Sequence, residues 1–144
     1  VVTPSCSVAA QVGDGASLVG TAFDALALLT RHANAEYLNE TTFLTSDTAL
    51  DQPQACYRPG PVKHVAVFSD GLQLLALQLA QGRPHPGFFQ PLFRFVQQSP
   101  DPTSASAEIE RFLRSPRITQ RADDDLSLFL GNLFFLIIGA IAGG

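Results

Sequence analysis

The chain has 144 residues, 46% of them hydrophobic and 15% charged, with a formal net charge of −4. That is length for one domain around one core. No basic stripe is present, which argues against a nucleic-acid partner, whereas clustered carboxylates on an acidic chain suit divalent cations.

The N-terminus lacks a basic region followed by an apolar one, so no secretory signal is read. The two cysteines, Cys6 and Cys56, have neither zinc spacing nor the density of a disulfide scaffold. They are read as buried, inert small residues in a cytoplasmic protein. The sequon at Asn39-Glu40-Thr41 is then a chance match. The chain starts at Val1, holds no methionine and enters a strand pattern almost at once. A missing N-terminal part of the native protein is therefore expected.

Residues 8–12 and 16–19 read as short strands flanking Gly13-Asp14-Gly15, a hairpin signal. Residues 25–29 suggest a third strand. Residues 36–45, "EYLNETTFLT", suggest a loop entering a strand. Residues 51–61 hold Pro53, Pro59, Gly60 and Pro61 and read as a loop. Residues 62–68 form a buried apolar strand that runs into Ser69-Asp70-Gly71. Residues 72–81, "LQLLALQLAQ", are rich in helix formers and stop at Gly82. Residues 86–98 make an aromatic-faced helix with Pro91 in its first turn. Residues 104–113 make another, with Ser104 as N-cap. Asp123-Asp124-Asp125 leads into a last strand, 126–130. Strands, then helices, then one strand make an α+β layered domain.

Three acidic points share one geometry. Asp14 sits in a tight turn, Asp70 at the end of a buried strand and Asp124 just before one. Antiparallel neighbours bring the end of one strand beside the start of the next. Asp70 and Asp124 can then converge at one sheet edge. Taken singly, an Asp-Gly is more often a turn, and a triple Asp more often solvated charge. Taken together, converging carboxylates call for a hard cation such as Mg²⁺ or Mn²⁺. Two such ions bind phosphate and acidify a bridging water.

Five stretches carry a family likeness in a fixed order. They are "AAQVGDGASLV", "EYLNETTFLTS", "VAVFSDGL", "HPGFFQPLFRFV" and "ADDDLSLFL". From about residue 10 to residue 130 the chain resembles the C-terminal half of a bacterial protein phosphatase 2C domain, the metal-dependent serine/threonine phosphatases. The resemblance implies a layered β-sandwich flanked by helices, here lacking its N-terminal half. It makes Asp70 and Asp124 metal ligands, with Asp125 and Ser127 completing the closing motif. It puts Asp14 near the metal cluster, close to a weaker third ion. Gly71 would allow close backbone approach, and Gly13 and Gly15 would shape the hairpin. The implied chemistry is attack on a phosphoserine or phosphothreonine of a phosphoprotein by a metal-activated water, with two Mn²⁺ or Mg²⁺ ions and no covalent enzyme intermediate.

The chain also departs from the family pattern. Many members carry an aspartate where Leu74 stands. No Asp-Gly-His-Gly-type run occurs, and the family's N-terminal half supplies that motif, another acidic ligand and a phosphate-binding arginine. The alternative is a catalytically inactive pseudophosphatase, or a half-domain module that pairs with a partner chain. The phosphatase-like part spans 1–131. Residues 132–144, "NLFFLIIGAIAGG", form an apolar extension too short to span a membrane alone. They are expected to pack on the domain or a partner. His32, His64 and His85 show no ligand spacing and are read as structural or exposed.

Overall fold

Alternating side chains build the main sheet of the computed structural model, which describes residues 1–30, 45, 54–122, 124–133 and 136–142. The strands are β1 (Cys6–Gln11), β2 (Ala16–Gly20), β3 (Leu26–Thr30), β4 (Gln54–Pro59), β5 (His64–Phe68), β6 (Leu77–Gln78), β7 (Arg83–Pro84), β8 (Leu126–Asn132) and β9 (Leu136–Ala142). The helices are α1 (Gln73–Ala76), α2 (Pro86–Gln98), α3 (Pro102–Leu113) and α4 (Pro116–Thr119). Five strands pair antiparallel in the order β3-β2-β5-β8-β9. β1 and β4 form a separate antiparallel ribbon.

One face of the main sheet carries Ala16, Leu18, Ala66, Phe68, Leu126, Leu128, Leu130, Ala140 and Ala142. These alternate along their strands, as a pleat with one helix-covered face requires. α2 and α3 lie over that face. α2 buries Phe89, Leu92, Phe93 and Val96, spaced to fall on one side of a helix. Phe89 packs 5.6 Å from Phe68 and 6.1 Å from Phe93, ring centre to ring centre. Fully burying such a ring contributes roughly 1.5–3 kcal/mol. The opposite face holds a smaller cluster of Val19, Leu29 and Val62, backed by Ala9 and Cys56 of the ribbon. The α+β class read from the sequence is what the structure has.

Several local expectations are corrected. The Gly13-Asp14-Gly15 turn is not a β-hairpin: β1 pairs with β4, while β2 pairs with β3 and β5. The turn instead carries the chain from the ribbon into the main sheet. Within the run expected to be a loop, 54–59 is a strand, because β1 supplies a ladder some 45 residues away in sequence. The helix expected over 72–81 lasts only to Ala76. The chain then turns at Gly82, in the left-handed region at φ 59°, and pairs Leu77 with Pro84. Pro86, not Pro91, occupies the first turn of α2, and Pro91 lies inside that helix. Asp101, not Ser104, caps α3, accepting from the Ser104 N–H at 2.7 Å. Cys6 and Cys56 are half-buried free thiols rather than buried ones, since the ribbon has only one covered face. The expected last strand continues to Asn132, and residues 136–142 return beside it as β9. The segment 36–45 (apart from Thr45), the sequon and His32 lie outside the described residues. Among the described residues no helix is long and apolar enough to cross a membrane.

Candidate metal centre

The sheet order explains why three carboxylates share one edge. β5 lies between β2 and β8, antiparallel to both. Its C-terminal end is therefore flanked by the N-terminal ends of its two neighbours. Asp70 stands two residues beyond β5, Asp14 two residues before β2 and Asp124 two residues before β8. All three fall at one edge. The electrostatics agree. Burial raises the Asp70 carboxyl above its ordinary value; the Asp14 charge raises it further and Asp124 adds to this, against a hydrogen bond from the Gly71 N–H. Asp14 and Asp70 are half-buried, and Asp124 and Asp125 are exposed.

The backbone here is tightly tied. Ser69 Oγ accepts from the Ser127 N–H at 3.0 Å and donates to the Asp125 carbonyl at 3.0 Å. The Ser69 N–H donates to the Ser127 carbonyl at 3.1 Å. One serine thus binds the exit of β5 to the entry of β8. Asp124 Oδ1 accepts from the Asp125 N–H at 2.7 Å, which shapes the bend before β8. A Cβ on Gly71 would lie 2.9 Å from the Asp125 carbonyl oxygen and 3.1 Å from that of Asp124. Only glycine lets these two segments approach so closely. A Cβ on Gly15 would lie 2.8 Å from the Phe68 carbonyl oxygen, and Gly13 has φ 98°. These glycines shape a crossover turn.

Carboxylates that together raise the proton affinity of Asp70 form a donor set that a divalent cation would relieve. The oxygen chemistry fits Mg²⁺ or Mn²⁺. It is a partial set: among the described residues no three His, Cys, Asp or Glu side chains stand close enough to hold an ion by themselves. Leu74 is 62% exposed. His64 is at the other end of β5, 5% exposed, with its ring 4.7 Å from that of Phe23 and 4.9 Å from that of Phe93. Burial, then the Lys63 charge, lowers its pKa. His85 is exposed at the start of α2.

Sequence reasoning missed Ser69 as a tie between strands. It also missed Gln11 and Gln73, which both reach the Asp14 turn. The serine was visible in the Ser-Asp-Gly motif, but two glutamines carry no motif at all.

The sequence profile of the protein phosphatase 2C family matches residues 1–114. Serine/threonine-protein phosphatase 3 of Escherichia coli (strain K12) is 33% identical over 132 residues, covering 90% of this chain and 52% of the relative. The chain thus spans about half the length of the curated relative it matches. No solved structure matches it. With its profile running through most of the chain, and Asp14 and Asp70 within the matched residues, the chain belongs to the protein phosphatase 2C family.

Proposed function

We propose that this chain carries part of the catalytic centre of a metal-dependent serine/threonine protein phosphatase. The observation that supports it best is the placement of Asp14, Asp70 and Asp124 at one sheet edge, in a chain of this family. In this reading Asp70 and Asp124 hold Mn²⁺ or Mg²⁺ through carboxylate oxygens, with Asp14 beside them. A divalent ion held there supplies charge neutralisation for phosphoryl oxygens and acidifies water. The chain's own part is to keep the carboxylates fixed. Ser69 and Gly71 lock the Asp70 and Asp124 segments together, so little reorganisation is needed when a phosphoserine or phosphothreonine of a phosphoprotein arrives. The remaining ligands would come from the part of the family domain that this chain does not span, and that part would complete the sandwich over the ribbon side of the sheet. The unbridged thiols of Cys6 and Cys56 suit the cytoplasm.

A second reading is a non-catalytic half-domain, or pseudophosphatase, that docks on another chain. The exposed apolar side chains of Val67 and Ile141 on the ribbon side of the sheet favour it. Residues 1–131 would be the phosphatase-like part, and 132–144 an apolar extension contributing β9.

The test is hydrolysis of p-nitrophenyl phosphate by the chain and by Asp70→Asn, with and without Mn²⁺. Mn²⁺-dependent turnover lost by at least about a hundredfold in the variant, the upper end of what loss of a mere ligand-orienting partner costs, supports the phosphatase. A folded chain inactive with and without Mn²⁺, and active only when the rest of the domain is supplied, supports the half-domain.

A further inference from the structure

The turn that carries Asp14 has no ladder of its own. It links a strand of the ribbon to a strand of the main sheet, so its carbonyls must find donors elsewhere. Three successive carbonyls do so, each from a carboxamide. Gln11 Nε2 donates to the Gly13 carbonyl at 3.2 Å and to the Gly15 carbonyl. Gln73 Nε2 donates to the Asp14 carbonyl. A glutamine amide has two N–H groups and one carbonyl, and Gln11 uses all of them, because Oε1 accepts from Thr30 Oγ1. Thr30 has one hydroxyl proton. With that proton given to Gln11, Ser17 Oγ is the donor in its 2.6 Å contact with Thr30 Oγ1. Both hydroxyl residues are buried, so the relay orienting Gln11 is shielded from water.

Gln73 sits three residues after Asp70, on the turn of helix that follows it. Its side chain therefore ties the segment carrying one carboxylate to the backbone of another. The geometry points to Gln73, assisted by Gln11, as a positioning residue that fixes Asp14 relative to Asp70. The two amides bind the carbonyls and so hold the backbone that carries the Asp14 side chain. This rests on the metal-centre reading given above, and it assigns a role in that centre to residues that touch neither metal nor substrate.

The test uses Gln73→Met, which keeps length and volume and removes the donor; Gln73→Asn, one methylene too short, replaces it if the first fails to fold. Backbone amide exchange at residues 13–15 should quicken by about tenfold, with the β5–β8 ladder unchanged. Unchanged exchange at 13–15 overturns the clamp. Binding of Mn²⁺ alone, followed by its electron paramagnetic resonance signal, should weaken by about tenfold, as for other residues that orient ligands. The decisive comparison is in the Asp14→Asn background. There Gln73→Met should weaken Mn²⁺ no further, since it acts through Asp14. A loss as large as in the wild-type background overturns the proposal. A wild-type chain that binds no Mn²⁺ while loop exchange responds as described rejects the metal-centre reading and supports the clamp as the device that holds this turn.

Discussion

Asp70 is the residue on which opposing demands meet. Burial and two neighbouring carboxylates raise its pKa. A carboxyl whose pKa is higher folded than unfolded favours the fold when protonated. That contribution is complete below the unfolded value, about 3.9, and is lost as pH rises through the folded one. At neutral pH the ionised Asp70 therefore costs stability that a bound cation would return. Asp70→Asn should raise the melting temperature at about pH 7, and the gain should shrink as pH falls through the carboxylate range to about pH 4. A gain of equal size at both pH values would show that the strain is not electrostatic. The acidic positions were legible in the sequence because each stands beside a short apolar run that reads as a buried strand. Gln11 and Gln73 were not, because a side chain reaching a distant carbonyl leaves no periodicity and no spacing.

Among elements, the junction of β5 with β8 is the one that the candidate centre depends on most. Ser69 and Gly71 bring the end of one strand against the start of the other, and the Gly71 position leaves no room for a methyl group. Gly71→Ala must push the 124–125 backbone away. It should cost about 1–3 kcal/mol in urea unfolding, the range for an overpacked site; a loss below about 0.5 kcal/mol, ordinary for a surface change, would mean that the junction yields easily. β2, β5 and β8 could be read from local pattern, since each is a short apolar run bounded by turn or acidic residues. β4 could not. Its proline-flanked run looks like a loop until β1 arrives to pair with it. The 72–81 segment misled for the opposite reason. Leu, Gln and Ala favour a helix, but burying both Leu72 and Leu77 and reaching the start of α2 through Gly82 takes a short helix and a two-residue ladder instead. Tertiary packing overrides propensity there.

At the scale of the whole molecule, helices cover one side of the sheet and the ribbon lies over part of the other. Val67 remains 47% exposed and Ile141 71% exposed on the ribbon side. Large apolar side chains exposed on one open sheet face are candidates for an interaction surface. Val67→Thr with Ile141→Thr should lower both dye binding by anilinonaphthalene sulfonate and self-association in sedimentation, with stability changed by only about 0.5 kcal/mol per site. Undiminished dye binding would place the apolar surface elsewhere. The layer class was readable from the order of strands and helices, whereas the assignment of strands to sheets was not, because pairing partners lie far apart along the chain. That separation also sets a timetable. β5 waits for β8, which is translated only after α2, α3 and α4, so the central strand lacks one of its two neighbours through much of synthesis. Long-range pairing of this kind folds slowly and leaves sticky intermediates. The Asp70 edge consequently cannot form until residue 124 and β8 have been made, and a nascent chain stalled before residue 124 presents a half-built sheet for chaperones or proteases to claim.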